Sequence, residues 1–281
     1  VNSAKKYIMP FGADEGMRIR TDGFVELSRH YSQDFVRRLG PPRLPGAEIT
    51  QRDKDLACSL QNRFEQVYLH LLQMLFSLTG RSHVAMAGGC TLNSVANGLI
   101  FDKTNFSKTC IQPAAGDDGL ALGSALYVSN SVLKEGHRWE MVGSYLGPDY
   151  SDAQIRIILD ERQVVYRRLR LDEIVKESAD ELAAGKIIGW FHGRAEWGPR
   201  ALGNRSILAH PGLPGMKDTL NSRIKHREAC RPFAPAVLAE RQGEIFEQSF
   251  PSHFMPHVYK IRQEWRERLC AVNHVDDTGR L

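Results

Sequence analysis

The chain has 281 residues, of which 42% are hydrophobic and 25% are charged, and its formal net charge is +4. This composition allows a buried core and two domains of ordinary size, and it excludes an intrinsically disordered chain. No apolar run approaches the roughly 18 to 20 residues that span a bilayer, and the first residues lack an apolar signal core, so neither membrane insertion nor export is expected. Five cysteines without a C-x-x-C pair favour a reduced, cytoplasmic protein without structural zinc.

Residues 50 to 80 give the clearest predicted helix. Apolar residues recur at steps of three and four from Leu56 to Leu78, Thr50 can cap the first turn, and Gly80 ends the pattern. The resulting apolar stripe is interpreted as core.

Two strand, glycine loop and helix units follow this helix. The first has a predicted strand at 84–87 that runs into Gly88 and Gly89, and the second has a strand near 109–113, the loop AAGDDG and a helix at about 120–132. Backbone N–H groups at such helix starts favour phosphate, although many α/β proteins use these glycines only for turns.

The connector at 134–152 is rich in Gly, Pro and polar residues, so we expect a second domain to begin near residue 145. A fresh α/β pattern follows it. The predicted helices are 151–162, 171–185 and 215–235, and the predicted strands are 164–169, 187–191 and 206–211.

Positive charge concentrates in the second predicted domain. From Lys186 to Arg231 there are nine Lys or Arg against three acids, a net +6, whereas the rest of the chain is net −2. Within it, the stretch GRAEWGPRALGNRS sets Arg194, Arg200 and Arg205 among glycines and a proline. Arginine grips phosphate through its planar fork, so the pattern favours an anionic ligand. Arg223 and Arg227, by contrast, fit the solvated face of a helix.

Few other residues indicate chemistry. Asp117 and Asp118 at a predicted helix start suit either capping or metal ligation. His253 and His257 are separated by three residues that include Pro256, which breaks the helical geometry of a zinc pair, so a zinc site is rejected. No G-x-S-x-G, Walker A or G-x-G-x-x-G motif is present.

These segments together resemble the O-carbamoyltransferases of antibiotic biosynthesis and of rhizobial nodulation-factor decoration. The resemblance covers nearly the full length, through LGPPRLPG, DLACSLQNRFE, AGGCTLNSVANG, QPAAGDDGLALGSAL, GRAEWGPRALGNRSILAHP, NSRIKHREACRPFAP and VDDTGRL. The pair GPRALGNRS and K-x-R-E-x-x-RPFAP carries most of the weight.

The resemblance implies an α/β fold in two parts. Residues 1–140 would be part of an actin-like (ASKHA) ATPase-fold domain, and residues 145–281 a YrdC-like domain. In that scheme the YrdC-like domain makes carbamoyl adenylate from carbamoyl phosphate and ATP, and the actin-like domain passes the carbamoyl group to a hydroxyl of a sugar or antibiotic. The implied cofactors are magnesium and, in the full-length protein, iron or another divalent metal.

The family motifs also imply roles for individual residues. Arg200, Arg205, Lys225 and Arg231 would bind carbamoyl phosphate and the nucleotide phosphates, with Arg280 joining them from the C-terminal segment. The other expected ligand contacts are Gly88, Gly89 and Asn93 in the nucleotide loop, Arg194 and Asn204 beside the arginines, and Asp117 on the metal.

The chain departs from the family pattern in two segments that relatives have and this sequence lacks. Relatives are about twice as long and carry an H-x-x-x-H pair that completes the metal site, and they continue past DTGRL. The chain is therefore expected to be a C-terminal fragment that binds metal poorly and does not complete the transfer to an acceptor. Asp118 is a further departure, since many relatives have a small residue there.

Two alternatives remain open on the sequence. A tRNA threonylcarbamoyladenosine-type protein shares both domain types and would use threonine and bicarbonate. A nucleic-acid-binding module would use the +6 segment, but that segment has few interleaved aromatic residues, so small-molecule partners are favoured over nucleic acid. The acceptor and the oligomeric state are left undetermined, with a slight preference for the nodulation type.

Overall fold

The computed structural model describes residues 18–19, 21, 25–26 and 31–281. It shows a mixed α/β protein in which helices are interspersed with two-stranded sheets. The chain divides into two compact units, Val1–Phe64 and Glu65–Leu281. The domain boundary expected near residue 145 stays a prediction. Within the described ranges, no helix combines the length and the hydropathy needed to cross a bilayer.

The first unit contains one small sheet and two helical segments. Strand β1 (Arg18–Ile19) pairs antiparallel with β2 (Val25–Glu26), helix α1 covers Gln33–Leu39, and helix α2 covers Gln51–Thr79 and begins in this unit. The predicted helix at 50–80 is thus confirmed. The Thr50 backbone N–H donates to Asp53 Oδ2 at 2.9 Å and the Asp53 N–H donates to Thr50 Oγ1 at 3.4 Å, a reciprocal cap.

The second unit opens with a parallel strand pair. Strand β3 (His83–Met86) pairs with β4 (Lys108–Ile111), with His83 opposite Lys108 and Met86 opposite Ile111. Between and after these strands lie a 3₁₀ turn at Gly89–Leu92, α3 (Ser94–Gly98), α4 (Ile100–Lys103), a 3₁₀ turn at Asp117–Gly119, α5 (Leu120–Tyr127) and a π-helical turn at Val128–Val132. Both predicted strand, loop and helix units are therefore confirmed. A core of Leu72, Val84, Ile100 and Phe106 packs beneath them.

The rest of the second unit contains two antiparallel strand pairs among short helices. Strand β5 (Ile188–Phe191) pairs with β6 (Arg205–Leu208), and β7 (Val258–Lys260) pairs with β8 (Thr278–Arg280). The helical segments are α6 (Asp152–Glu161), α7 (Leu171–Ala183), α8 (Met216–Thr219), a π-helical turn at Leu220–Ile224, a 3₁₀ turn at Ala239–Arg241, α9 (Gln242–Ile245) and α10 (Gln263–Arg266).

One predicted strand is wrong, and one predicted helix is confirmed only in its first part. Residues 164–169 form no strand: they run irregularly after α6, and Val165 is 98% exposed, so there is neither a pairing partner nor a buried face for a strand. The helix predicted at 215–235 stops at Ile224, since His226 adopts a positive φ of 46° that no helix accommodates. Residues after it, including Arg227 and Arg231, therefore lie on irregular backbone.

The C-terminal strand pair determines where Arg280 points. The buried core here comprises Phe246, Tyr259, Ile261, Leu269 and Val272. A Cβ on Gly279 would stand 3.2 Å from side-chain atoms of Ile261 and of Phe246, so Gly279 faces this core. Because successive residues of a strand face opposite sides, Thr278 and Arg280 both point away from it.

Candidate functional site

Two glycine loops meet at the carboxyl ends of β3 and β4. We call residues 87–92 the first glycine loop and residues 112–119 the second. The Gly88 N–H donates to the Ala115 carbonyl at 2.7 Å, and a Cβ on Gly116 would stand 4.0 Å from the Cα of Gly89. Gly88 has a φ of +105° that favours glycine, and a Cβ on either Gly88 or Gly89 would meet no described atom within 4 Å. The first glycine loop thus presents open backbone at the strand ends.

The remaining residues predicted for this edge lie close by. Asn93 caps α3, accepting a hydrogen bond from the Ala96 N–H at 3.1 Å. Asp117 lies exposed in the second glycine loop, where it starts the 3₁₀ turn that leads into α5. Both residues therefore lie at the edge for which the family resemblance implies a nucleotide and a metal, and these two roles stay predictions.

Residues 193–206, the arginine loop, fold around Glu196. Its Oε1 atom accepts hydrogen bonds from the backbone N–H groups of Leu202 at 2.8 Å, Asn204 at 2.8 Å and Arg205 at 3.0 Å. Burial raises the pKa of Glu196, but these backbone donors outweigh it, so the pKa lies below its ordinary value. Sequence reasoning assigned no such role to Glu196, and its only signal was an acid inside a basic loop.

Arg205 is engaged within the arginine loop itself. Its guanidinium carbon lies 3.5 Å from the centre of the Phe191 ring. Its nitrogens donate to the carbonyls of His192 and Asn204 at 3.0 Å each and of Gly193 at 2.8 Å. These contacts close the turn between β5 and β6.

Arg194 and Asn204 attach the arginine loop to the connector. Arg194 donates to the carbonyls of Gly147 at 2.9 Å and Leu146 at 3.1 Å, and Asn204 Nδ2 donates to the Arg194 carbonyl at 2.8 Å. The hydrogen bonds that Arg194 and Asn204 donate from their side chains thus go to backbone carbonyls. Their predicted contact with a ligand stays a prediction.

We call Arg200, Arg227 and Arg280 the arginine cluster, because the charges of Arg200 and Arg227 act on Arg280. Burial, together with the nearby positive charges of Arg200 and Arg227, lowers the pKa of Arg280 to about 10. The buried Nε of Arg280 has no hydrogen-bond partner in the part of the chain that the structure describes. Three positive charges and a donor without a partner among the described residues favour the binding of an anion.

The other two members of the cluster are held from different sides. Arg200 donates to the Leu92 carbonyl of the first glycine loop at 3.3 Å, and burial lowers its pKa. Arg227 donates from Nε to Asn221 Oδ1 at 2.8 Å and lies 4.7 Å from the Phe233 ring centre. Sequence reasoning placed Arg227 on a solvated helix face; the end of that helix at Ile224 is what turns it inward.

Lys225 and Arg231 lie farther out. Lys225 is exposed at the end of the π-helical turn, and Arg231 forms an exposed ion pair with Glu228, Nε to Oε2 at 3.0 Å. The cations that depress the pKa of Arg280 are Arg200 and Arg227, not these two. Their predicted part in binding stays a prediction.

Within the part of the chain that the structure describes, no metal site is completed around Asp117, and its predicted role as a metal ligand stays a prediction. Among the described ranges, no group of three or more His, Cys, Asp or Glu side chains converges. His257 has its two ring nitrogens 3.2 Å from Thr109 Oγ1 and Ser252 Oγ, which engages it in the protein interior. We therefore derive no chemical step through a metal.

Comparisons with known proteins agree with these features. The family description "Carbamoyltransferase N-terminus" matches residues 25–126 and "Carbamoyltransferase C-terminus" matches residues 179–281. An uncharacterised protein of Synechocystis sp. is 36% identical over 95% of this chain and 50% of its own length. Nodulation protein NolNO of Sinorhizobium fredii is 38% identical, covering 98% of this chain and 42% of its own.

A third relative carries an explicit activity in its name. The 3'-hydroxymethylcephem-O-carbamoyltransferase of Amycolatopsis lactamdurans is 35% identical over 71% of this chain and 36% of its own length. The chain thus spans about half the length, or less, of these relatives. With both family descriptions matched in order along it, the chain belongs to the carbamoyltransferase family.

Proposed function

We propose that this chain is part of an ATP-dependent O-carbamoyltransferase and that its arginine cluster binds the phosphates of carbamoyl phosphate and ATP. The observation that carries the proposal is Arg280, a partly buried cation whose buried Nε has no partner among the described residues and on which the charges of two further arginines act. An isolated buried cation is costly, and an anion in contact with it removes that cost. Phosphate suits the site because guanidinium forks bind it in two parallel hydrogen bonds.

The chemistry proposed here needs such a concentration of charge. Water attacks the phosphorus of carbamoyl phosphate, and the P–O bond to the carbamoyl group breaks to give inorganic phosphate and carbamate. A carbamate oxygen then attacks the α-phosphorus of ATP, and pyrophosphate leaves. Both steps bring anions together, so cations that offset their repulsion stabilise the transition states. The hydroxyl oxygen of an acceptor attacks the carbonyl carbon of carbamoyl adenylate and loses its proton, and AMP leaves.

In this proposal the predicted residues divide into two groups. Arg200 and Arg280, joined by Arg227, contact the ligand from the interior, while Lys225 and Arg231 close on it from the exposed side. Arg205, Arg194 and Asn204 support the loop through the carbonyl contacts described above.

The transfer half of the reaction is proposed for the edge where the glycine loops meet. Gly88, Gly89 and Asn93 would hold the nucleotide there, since open backbone at a strand end accommodates phosphate closely. The actin-like and YrdC-like arrangement belongs to this proposal. The acceptor is proposed to be a hydroxyl of a sugar or an antibiotic, as the family resemblance implies, and the name of the cephem O-carbamoyltransferase supports the antibiotic.

Binding of carbamoyl phosphate to the purified chain tests the proposal directly. Calorimetry should show saturable binding that inorganic phosphate competes away, and Arg280→Gln should weaken it by at least about 10-fold, the value of one charged hydrogen bond. Arg223→Gln, which alters an exposed arginine outside the cluster, is the matched control. Equal affinity of Arg280→Gln and the unaltered protein contradicts the proposal.

A further inference from the structure

A cavity of about 290 Å³ opens between residues 217–232 and residues 271–276. Its lining includes Lys217, Asn273, His274 and Asp276. Part of the wall is thus formed by the turn that leads into β8, the strand that ends in Arg280.

The hydrogen bonds around His274 determine its tautomer. The Thr278 hydroxyl donates its single proton to the Asp276 carboxylate, Oγ1 to Oδ1 at 2.7 Å. Thr278 Oγ1 is therefore left as an acceptor, and His274 Nδ1, 3.0 Å away, must carry the proton and donate to it. Nε2 is then an unprotonated acceptor.

That acceptor is buried and has no hydrogen-bond partner within the described residues. Burial lowers the pKa of His274, the nearby Asp276 raises it, and Arg280 and Lys217 lower it further, so that the pKa lies below its ordinary value. The ring is therefore neutral near pH 7, and Nε2 keeps its lone pair free to accept a hydrogen bond.

Asn273 supplies a second acceptor of the same kind. Its Nδ2 donates to Asp277 Oδ1 at 3.4 Å, which orients the amide. Its Oδ1 is buried and finds no donor in the portion of the chain that the structure describes. Asn273 and His274, which line the cavity, thus each have a buried acceptor without a donor among the described residues, and such acceptors favour a ligand that brings N–H or O–H donors, which a deprotonated phosphate oxygen does not have.

Arg280, one member of the arginine cluster, lies near this pair of acceptors, and its charge acts on His274. Thr278, which contacts His274, and Arg280 lie on the same face of β8, because they are two residues apart on a strand whose intervening Gly279 faces the core. Arg280 Nε is itself an unpaired buried donor. An anion-binding donor and two acceptors thus share one region.

We propose that Asn273 and His274 accept hydrogen bonds from the NH₂ group of carbamoyl phosphate while the arginine cluster binds its phosphate. This assignment rests on the function proposed above and makes the two residues specificity determinants of the same site. A carbamoyl NH₂ has two N–H donors for two acceptors, whereas an acyl group such as acetyl has none. The site therefore selects carbamoyl over acyl phosphates by leaving its acceptors unpaired with the wrong ligand.

Acetyl phosphate is the probe, since it replaces NH₂ by CH₃ and keeps the phosphate. The unaltered chain should bind carbamoyl phosphate at least about 10-fold more tightly than acetyl phosphate. His274→Phe and Asn273→Leu should each bring that ratio towards one while the affinity for inorganic phosphate stays unchanged, which also shows that the variant is folded. His253→Phe, at an exposed position, should preserve the ratio.

The outcomes separate the two proposals. Equal affinity of the unaltered chain for the two ligands overturns the role of Asn273 and His274 but leaves the phosphate site standing. Failure to bind carbamoyl phosphate, acetyl phosphate and inorganic phosphate overturns both. If neither variant changes the ratio of the affinities for carbamoyl phosphate and acetyl phosphate, the assignment is also refuted. It is refuted as well if adenosine alone shifts the imidazole resonances of His274, because the hydrogen-bond donors would then come from an adenine amine.

Discussion

Gly198 lies so close to Pro113 that a Cβ on Gly198 would stand 2.6 Å from the Pro113 carbonyl oxygen. This is where the arginine loop contacts the second glycine loop, and both sides of the contact are backbone. Arg200, two residues further on, donates to the first glycine loop at Leu92. The position of Arg200 is therefore fixed by a backbone contact that only glycine permits.

Replacing Gly198 by alanine should destabilise the protein more than the same change at Gly203. Both glycines have a positive φ, +108° and +110°, so both substitutions cost about 1–3 kcal/mol of backbone strain. Only at Gly198 does the new methyl meet backbone atoms; at Gly203 the nearest is the Tyr145 hydroxyl at 3.8 Å. Gly198→Ala should therefore lose a further ~1–3 kcal/mol in urea unfolding. Equal losses would show that the loops do not depend on this approach.

Glu196 should be the main electrostatic support of the arginine loop. Glu196→Ala leaves three backbone N–H groups without their carboxylate and should lower the free energy of unfolding by about 2–3 kcal/mol. Because the pKa of Glu196 is lowered in the folded state, its contribution is present above the ordinary value of 4.5 and disappears as the pH falls below it. Urea unfolding between pH 3 and pH 7 checks both statements.

The control for Glu196 is an exposed acid. Glu244 forms an ion pair with Arg241 at 2.8 Å on the surface, so Glu244→Gln should leave stability nearly unchanged at pH 7. If Glu196→Ala is as mild as Glu244→Gln, the network around Glu196 does not hold the loop.

Local patterns in the sequence predicted much of this fold. They could not predict the features that depend on contacts between residues far apart in the chain. The helix at 50–80 and the two strand and glycine units follow from periodicity and from turn residues only a few positions apart. The register of β3 against β4 then places the glycine loops together without further information. The predicted strand at 164–169 is wrong because the local sequence cannot reveal whether a neighbouring strand exists to pair with it.

In the candidate site, too, some residues could be predicted from the sequence and others could not. Arg200 and Arg280 were selected through family motifs, and in the structure the charge of Arg200 acts on Arg280; their role in binding stays a prediction. Arg227 was missed because its direction depends on where a helix ends, and Glu196 because its partners are backbone N–H groups that every sequence supplies. Arg205 shows the reverse: its charge suggests a ligand, yet its donors reach carbonyls of its own turn.

Arg280 should destabilise the protein when no anion is bound. Its pKa of about 10 lies below the ordinary value of 12.5, so folding disfavours the charged form, and that cost is present below pH 10 and is relieved as the pH rises. Arg280→Met, which keeps an apolar chain of similar length, should therefore raise the free energy of unfolding by about 1–3 kcal/mol at pH 7 without phosphate. Thermal unfolding in a phosphate-free buffer measures this.

The same variant should lose its response to anions. Added inorganic phosphate should raise the melting temperature of the unaltered protein, because a ligand that binds only the folded state stabilises it, and should raise that of Arg280→Met far less. A variant that is less stable without phosphate, or equally protected by it, contradicts the role of Arg280 as an unsatisfied anion ligand.

His257 should give the protein a marked sensitivity to mild acid. Burial lowers its pKa to about 4, and its ring nitrogens lie 3.2 Å from hydroxyls of Thr109 on β4 and Ser252, so it joins the parallel strand pair to the C-terminal segment. The unfolded chain binds a proton near the ordinary value of 6.5, whereas the folded protein resists it until about pH 4. Stability should therefore be complete above pH 6.5 and fall by about 3 kcal/mol towards pH 4.

The variant His257→Gln isolates this effect. Glutamine can still donate to one hydroxyl and accept from the other but does not titrate, so the difference in unfolding free energy between pH 7 and pH 4 should be smaller by about 3 kcal/mol than in the unaltered protein. His253→Gln, four positions earlier and exposed, should retain the full dependence. Because His274 also has a lowered pKa, some dependence should persist in His257→Gln. An unchanged slope in His257→Gln would mean that His257 takes up its proton without unfolding this junction.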